Sequence, residues 1–519
     1  WIALEQRQLA EHVVDLGADP TWLSLANSTS PASLRGNNAH AYADRGGVDG
    51  FNGGEDIVPS SGTDWNYPLT PFNAGANCPI FSSVPACTWD GASEATNRAQ
   101  ATTQLFYYVN RFHDPLAAPP INFTHASRNF EVVDADAGGP GLGNDALNAE
   151  SNDSSGFNNA NMTTPPDGTA PRMQMYLFTN PALNGSDAAD VVYHEYTHGL
   201  SNRLVGNAAG LTTHQAQSMG EGWSDWYAFD FLVGQGDVPD GGADGELLIG
   251  AYLYPGGSIA GGPPGVRTQA LDCSVGSVHA NCPGTPAAGP GGYTFGDLGK
   301  VSGTDVHADG EIWVETLWDV RKALGSTVAE QLVTDAMRLS PLNPSFLDQR
   351  NAILAADQAQ GAPNAAALWQ IFAARGMGFS ASTASSAATS AIEAFDLPPL
   401  VAHVSAAIDD APPIGDGDGI AEPGEAVRIT ETLRNPNPFA LTGVGGVLSA
   451  SGGLVVGGLA ATWASPFAPS TNAAAATPLA VTVPAGHVCG SPLALSLQVT
   501  TDQGPQTLPF SIPTGGPGA

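Results

Sequence analysis

Two histidines and a glutamate stand at a spacing that can bind a metal ion and use it. His194, Glu195 and His198 lie in residues 187–204, an apolar stretch with helical periodicity. Residues four apart lie on the same side of a helix, so both imidazoles can reach one ion, and Glu195 can reach a water on that ion. This is the spacing of zinc sites in which the glutamate acts as a general base.

The third ligand decides the class of zinc site. A continuation with glycine at position 201 and histidine at position 204 is excluded, because Ser201 and Leu204 stand there. The next carboxylate along the chain is Glu221, which is the predicted third ligand and leaves a fourth position for water. His214 is the alternative ligand. Asp225, one helical turn after Glu221, is predicted to accept the spare ring N–H of a ligand histidine and so fix its tautomer.

Helices must position these side chains, and the residues outside the predicted helices have a different sequence pattern. Residues before about 180 are rich in turns, with one alternating strand at 172–178, and short β-like runs follow residue 402. Helical periodicity marks residues 93–113, 187–204, 214–233, 308–324, 327–339, 346–359 and 364–375. We therefore predict an α+β chain with a β-rich N-terminal lobe (1–180), a helical lobe with the zinc site (181–385), a linker (386–402) and a β-sandwich accessory domain (403–519).

The composition limits the partners. The chain has 519 residues and a formal net charge of -33, from 50 acidic against 17 basic side chains. Such a surface repels nucleic acid and anionic membranes, so neither is an expected partner. No run of about 20 apolar residues occurs, so no membrane span is expected. The first residue is Trp1, and a signal peptide or pro-segment is expected to precede it.

The cysteines indicate an exported protein. Cys78 and Cys87 are nine residues apart, as are Cys273 and Cys282, and each pair brackets a turn-rich loop. Two local disulfides are predicted, with four separate thiols as the alternative. Cys489 is left over and is predicted to be free.

Several segments together resemble the fungalysin family of secreted zinc metalloendopeptidases, which are relatives of thermolysin. They run in the family's order across roughly residues 35–380 and include 158–161, 172–176, 194–204 and 219–225. The resemblance implies a thermolysin-like two-lobed catalytic domain, one catalytic zinc ion, protein or peptide substrates, secretion, and an inhibitory N-terminal prodomain before maturation.

The resemblance also implies roles that spacing alone does not assign. His307 matches the histidine that hydrogen-bonds the oxyanion, a charge that develops only in the transition state. Arg267 matches an arginine that grips a substrate carbonyl, with a scaffold ion pair as the alternative. Asn159 and Ala160 match an edge strand that pairs with the substrate backbone, with an asparagine-rich turn as the alternative. The tyrosine that assists the oxyanion in relatives has no clear match, and the unranked candidates are Tyr193, Tyr196, Tyr227 and Tyr293.

Two acid-dense stretches are candidates for calcium, which prefers hard oxygen ligands. Solvated loops are the alternative for both. The first comprises Asp134, Asp136, Asp145 and Glu150, and the second comprises Asp409, Asp410, Asp416, Asp418 and Glu422.

The sequence thus predicts a secreted, monomeric zinc endopeptidase with Glu195 as the general base. An exopeptidase would need an anchor for a free substrate amine, and no motif supplies one. A binding protein built on an inactive protease scaffold is a third hypothesis. The presence of Glu195 opposes it, because a purely structural zinc site needs no base.

Overall fold

The structure is a computed structural model, and it describes most of the chain. The predicted Cys78–Cys87 disulfide and the candidate calcium ligands Asp134 and Asp136 lie outside the described residues. The described residues are 22–23, 33–62, 64–69, 94–133, 139–179, 182–256, 262–437, 439–449, 455–458 and 460–515.

The chain divides into two compact units. The first comprises residues 1–356 and 371–395, and the second comprises 357–370 and 396–519. Within the first unit, Ile392 forms a β-bridge with Ser382, so the opening residues of the predicted linker are packed against this unit.

A five-stranded sheet forms the N-terminal part of the first unit. Its strand order is β1-β2-β4-β3, and β5 also pairs with β4. Strands β1, β2 and β4 are parallel, whereas β3 and β5 run antiparallel to β4. The strands are β1 (Ala39–Ala43), β2 (Leu147–Phe157), β3 (Ala160–Thr163), β4 (Arg172–Thr179) and β5 (Ala182–Asn184). Helix α1 (Glu94–Ala117) packs on β1 and β2, and its residues Leu105, Phe106 and Val109 are buried.

Strand β2 is a strand that the sequence did not reveal. Its residues are mostly small and polar, so the stretch has the composition of turns. The first seven of its eleven residues are nevertheless largely inaccessible, and several of their polar groups form hydrogen bonds inside the unit. Asn152, for example, donates to Glu94 at 2.6 Å and accepts from Asn184. Hydrogen bonding therefore compensates for the burial of polar groups here.

Helices form the middle of the chain. They are α2 (Ala189–Leu204), α3 (His214–Gln235), α4 (Val306–Leu324), α5 (Ser326–Leu339), α6 (Phe346–Ala359) and α7 (Ala365–Ala374). Each begins and ends within two residues of the segment that apolar periodicity predicts, since the periodicity reports the buried face of each helix. No helix among the described residues is long and apolar enough to cross a membrane.

The long segment between α3 and α4 is built from turns and held by buried charges on the helices. Glu311 accepts from the backbone N–H and the hydroxyl of Thr268, at 2.9 Å and 2.7 Å. Arg375 donates to the backbone carbonyls of Cys273 and Tyr293. The predicted disulfide between Cys273 and Cys282 is present in this segment. Cys489 is free, as predicted.

The second unit contains two antiparallel sheets, of order β10-β8-β13-β14 and β11-β7-β12-β9, with β6 paired to β7. Its strands are β6 (Ala402–Asp409), β7 (Ala426–Arg434), β8 (Gly445–Ser449), β9 (Val455–Gly458), β10 (Ala460–Thr462), β11 (Asn472–Ala474), β12 (Leu479–Thr482), β13 (Leu493–Thr501) and β14 (Gly504–Ile512). Along β13, buried apolar residues alternate with more exposed ones, which is the pattern of a strand with one face on a core. The predicted α+β class, with an all-β C-terminal part, is confirmed.

Candidate metal centre

Two neighbouring helices bring the three predicted ligands together. His194 and His198 lie one turn apart on α2, and their Nε2 atoms are 3.1 Å apart. Glu221 on α3 places Oε2 3.3 Å from Nε2 of His194 and Oε1 3.4 Å from Nε2 of His198. One potential ligand atom from each side chain lies within 4.8 Å of the others. Two imidazoles and one carboxylate are a donor set that suits zinc, so these residues fit such an ion.

Asp225 fixes the orientation of the first ligand. Its Oδ1 lies 2.6 Å from Nδ1 of His194. Because an ionised carboxylate can only accept, Nδ1 carries the proton and the lone pair of the neutral ring points from Nε2 toward the other ligands. Burial alone would lower the pKa of His194, but hydrogen bonds to Asp225 and Glu221 raise it to about 10. A metal ion must therefore displace a proton from this ring when it binds.

The pKa of the second histidine, His198, shifts in the opposite direction to that of His194. Burial, together with the charge of the neighbouring His194, lowers the pKa of His198 to about 4, although the carboxylate of Glu221 opposes this shift. His198 is therefore neutral near pH 7, which is the form that ligates a metal.

Arg267 holds the two carboxylates of α3 from the other side. Its Nε donates to Oδ2 of Asp225 at 2.7 Å, and its Nη2 donates to Oδ1 of Asp225 at 2.9 Å and to Glu221 at 3.2 Å. Asp225 is fully buried and Arg267 is nearly so. This is the ion pair that the alternative interpretation of Arg267 expects. Arg267 also lines the cleft, so it adjoins the space in front of the ligands.

His307 approaches the ligands from α4. Its Nε2 lies 3.7 Å from Oε1 of Glu221, and its Nδ1 lies 2.9 Å from Oδ1 of Asp305. Asp305 caps the helix by accepting from the backbone N–H of His307 as well. One carboxylate therefore fixes both the helix start and the ring. The side chain of His307 is 56% exposed, so it faces the open part of the cleft.

Two glycines allow this approach of α3 and α4. A Cβ atom at Gly222 would lie 2.7 Å from the carbonyl oxygen of Gly310. A Cβ atom at Gly310 would lie 2.8 Å from both Cβ of Glu221 and the carbonyl oxygen of Ser218. The helices thus cross at backbone contact beside the third ligand, and only glycine fits there without displacement.

Glu195 lies in the wall of a cleft of about 720 Å³ that the ligands and His307 also line. Burial raises the pKa of its carboxyl to about 7, although the charge on His194 opposes this shift. A carboxylate with a pKa near neutrality can both take up and release a proton at pH 7.

The predicted substrate-binding strand lies along the same cleft. Asn159 and Ala160 line it, and Ala160 begins β3. Strand β3 pairs with β4 and ends the strand path of its sheet. The asparagine-rich stretch is thus a strand with a flanking turn residue, Asn158, whose φ is 56°.

Other sequence candidates lie elsewhere. His214, the alternative ligand, places Nε2 2.7 Å from Asp309. None of the candidate tyrosines Tyr193, Tyr196, Tyr227 and Tyr293 lines the cleft.

Sequence reasoning missed two cleft residues. Tyr254 lines the cleft but lies in the turn-rich segment before α4, where no periodicity singles it out. Asp305 holds His307, and here a signal existed, because an aspartate just before a helix is a preferred N-cap.

The first acid-dense stretch is arranged differently from the predicted group, whereas members of the second stretch lie close together. Asp145 accepts from the backbone of Glu131 and Gly168 and pairs with Arg203, whereas Glu150 accepts from Tyr42. In the second unit, potential ligand atoms of two triads each lie within 4.8 Å of one another. These triads are Asp410, Asp416 and Glu425, and Asp416, Asp418 and Glu422.

The site belongs to a class that known proteins define. Two histidines four residues apart and a glutamate from the next helix, with a further glutamate in the cleft, are the elements of a metallopeptidase of the thermolysin type. A sequence profile described as "Fungalysin metallopeptidase (M36)" matches residues 3–381. The chain belongs to the fungalysin metallopeptidase family.

Individual relatives agree with this assignment. The chain is 36% identical over 395 residues to "Extracellular metalloproteinase MEP" of Pyricularia oryzae, covering 70% of this chain and 54% of that protein. It is 34% identical over 406 residues to the protein of the same name in Fusarium vanettenii, covering 73% and 56%. The chain therefore spans about half the length of these relatives.

A solved structure, the precursor of protealysin, a metalloproteinase from Serratia proteamaculans, matches with a TM-score of 0.38 and 14% identity. The match covers 73% of this chain and 98% of that one, and the score is too low to support an argument.

Proposed function

We propose that the chain is a secreted, zinc-dependent endopeptidase that hydrolyses internal peptide bonds with Glu195 as the general base. The observation that carries the proposal is the convergence of His194, His198 and Glu221 beside Glu195 in an open cleft. Relatives named extracellular metalloproteinases and the Cys273–Cys282 disulfide support the extracellular location.

The residues that would hold zinc are His194, His198 and Glu221, with Asp225 as the partner of the first histidine. Zinc held by these ligands supplies Lewis acidity, which makes water acidic enough to lose a proton near neutral pH and polarises a carbonyl group. Arg267 prevents the paired carboxylates of α3 from being left without a counter-charge.

Glu195 moves the proton in this scheme. Its carboxylate takes a proton from the attacking water and then delivers it to the nitrogen of the leaving amine. The raised pKa of about 7 supports both steps, because neither protonation state is strongly disfavoured at neutral pH.

His307 supplies a donor for the oxyanion. In the imidazolium form, Nδ1 donates to Asp305 and Nε2 can donate into the cleft toward charge that develops on the carbonyl oxygen.

The substrate is proposed to bind as an extended peptide on the edge of β3. The support is that Asn159 and Ala160 line the cleft and that β3 lies at the end of its sheet. An edge that pairs with backbone on both sides of the scissile bond favours internal cleavage. Contact between Arg267 and a substrate carbonyl, the inhibitory prodomain and the monomeric state stay predictions.

The test is proteolysis by wild type, Glu195→Gln and Glu311→Gln. Glu311 is a matched control because it lines the same cleft, is equally buried and also has a pKa raised to about 7 by burial. Casein hydrolysis by Glu195→Gln should fall by about 10³-fold at unchanged zinc content, since the base is lost. Glu311→Gln weakens the anchoring of Thr268 and Gln269, and through Thr268 that of Arg267, but it removes no proton-transfer group, so its activity should stay within about tenfold of wild type.

Two outcomes would reject the proposal. Wild-type digestion by zinc-loaded Glu195→Gln would exclude Glu195 as the base, and full activity of wild type after zinc removal would exclude the metal. Peptides blocked at both ends separate the alternatives, because an endopeptidase cleaves them and an exopeptidase does not. An inactive binding scaffold would cleave neither peptides nor casein.

A further inference from the structure

A second group of carboxylates lies in the N-terminal sheet, apart from the predicted ligands. Asp44, Glu150 and Asp153 each place a carboxylate oxygen within 4.8 Å of the others. All three side chains have zero exposure. Three like charges at this separation repel one another strongly when water is excluded, so the arrangement needs a compensating group.

A bulge in β2 creates the group. Glu150 pairs with Gln174 and Asp153 pairs with Tyr176, so three residues on β2 oppose two on β4. Residues three apart on a regular strand point to opposite faces, and the extra residue brings both carboxylates to the same side. Asn152, within the bulge, has a φ of 52°. Asp44 directly follows β1, and its N–H donates to the carbonyl of Ser151.

The hydrogen bonds leave two oxygens unused. Asp153 accepts from the backbone of Ser155 and from Gln174, so both of its oxygens are satisfied. Asp44 accepts from the N–H of Gly47 at Oδ1 only. Its Oδ2 is buried and has no hydrogen-bond partner.

The two carboxylate oxygens of Glu150 also differ in their hydrogen bonds. Its Oε1 accepts from the hydroxyl of Tyr42 and from the N–H of Gly50, both at 2.8 Å. Its Oε2 is buried without a hydrogen-bond partner. Hydrogen bonds to one oxygen and none to the other leave lone pairs for a ligand in a place that water does not reach.

The nearest positive charge is insufficient. Nε of Arg172 lies 3.7 Å from Oε2 of Glu150, but its Nη1 pairs at 2.8 Å with the exposed Asp49. Glu55 is a fourth acid that adds to the excess of negative charge. Burial and the carboxylates of Asp44 and Asp153 raise the pKa of Glu55. Burial likewise raises the pKa of Glu150 to about 7, which is the response of a carboxyl without a matching cation.

We propose that Asp44, Glu150 and Asp153 bind one hard divalent cation of the calcium type. This ion stabilises the N-terminal sheet. Carboxylate oxygens, two of them without other partners, are the ligands that calcium prefers. The site would tie the end of β1 to the bulge of β2. It differs from both acid-dense stretches identified in the sequence, since Glu150 joins Asp44 and Asp153 instead of Asp145.

The experiment uses the full chain with its zinc retained and with Asp416→Asn as the background. Asp416 is shared by both acidic triads of the second unit, so this substitution removes a member of each. Calcium is removed with a calcium-selective chelator, zinc content is verified, and thermal unfolding and calorimetric titration are recorded with CaCl2. Glu150→Gln in the same background is the test variant, and equal ionic strength is kept with NaCl.

In the background chain, calcium at about 100 times its dissociation constant should raise the Tm by about 5 °C. Glu150→Gln should bind one ion fewer, or bind it at least about tenfold more weakly, because affinity follows the ligand charge. Without calcium, its Tm should equal or exceed that of the background chain, since glutamine removes the repulsion and keeps an acceptor for Tyr42.

The comparison of the two Tm values without calcium distinguishes the loss of a calcium site from misfolding of Glu150→Gln. The proposal is overturned if calcium leaves the Tm of the background chain unchanged, which would mean that protons or Arg172 alone compensate the charge. It is also overturned if Glu150→Gln binds as many calcium ions, with equal affinity, as the background chain. Asp44→Asn should reproduce the loss, because it removes the charge of a second ligand.

Discussion

Replacing Asp225 with asparagine tests how the first zinc ligand is oriented. Asp225 lies 2.6 Å from Nδ1 of His194 and makes two hydrogen bonds with Arg267, all in a fully buried position. Asparagine can place its oxygen at the position of Oδ1, which accepts from both His194 and Arg267, but its amide group then lies at the position of Oδ2 and cannot accept from Nε of Arg267. Either this hydrogen bond to Nε of Arg267 is lost, or the amide is turned the other way and the ring of His194, facing a donor, turns its protonated nitrogen toward the metal.

The expected loss follows from the number of contacts that fail. Mutation of such a partner weakens metal binding by about 10- to 100-fold, which corresponds to about 1.4–2.7 kcal/mol of binding free energy. Since the substitution removes the charge of Asp225 as well as the acceptor for Nε of Arg267, the upper part of this range is expected. Zinc affinity is measured by competition with a chromogenic chelator, and proteolysis is measured at saturating zinc.

The chain offers a matched control in Asp309→Asn. Asp309 is equally buried and contacts His214 at 2.7 Å, so the substitution disrupts the same type of pair away from the ligands. It should lower the Tm but leave zinc affinity within about twofold. If Asp225→Asn binds zinc as tightly as wild type, or if Asp309→Asn weakens zinc binding equally, the assigned role of Asp225 is wrong.

Two further changes have expected outcomes. Gly310→Ala places Cβ 2.8 Å from Cβ of Glu221, so it should lower the free energy of unfolding by about 1–3 kcal/mol and reduce the rate of proteolysis. Denaturant unfolding and casein assays measure the two effects. An unchanged free energy of unfolding and an unchanged rate would contradict the backbone contact between α3 and α4. Burial raises the pKa of Asp187 to about 7, so the native state holds its proton more tightly than the unfolded chain does, and this group makes stability fall as pH rises from about 4 to 7. Asp187→Asn should therefore raise the free energy of unfolding by about 2 kcal/mol more at pH 8 than at pH 5; an equal change at both values would refute this assignment.

The helices were predictable because their signal is local. Apolar periodicity reports which face of each helix is buried, and the i, i+4 spacing of His194 and His198 requires only that α2 is a helix. Glu221 followed from the absence of an earlier carboxylate, and Asp225 followed from its position one turn later. These inferences needed no knowledge of how distant segments meet.

The features that escaped prediction depend on distant partners. Strand β2 is polar, and its burial makes sense only with Glu94 and Asn184, which come from other elements. The partners of Arg267 depend on the path of a segment made of turns, where glycine allows many conformations. Tyr254 enters the cleft from the same segment and has no periodic pattern.

Helix α4 connects the separate parts of the site. Its first turn places His307 near Glu221, and Gly310 in its second turn sets the distance to α3. Glu311, the next residue, holds Thr268 and therefore the position of the adjacent Arg267, which in turn pairs with Asp225. A shift of α4 along its axis would thus move the proposed oxyanion donor His307, the predicted ligand Glu221 and Arg267 together. For this reason we expect substitutions at Gly222 and Gly310, where the backbones of α3 and α4 touch, to alter zinc affinity and turnover jointly, whereas substitutions on β3 should alter substrate binding alone.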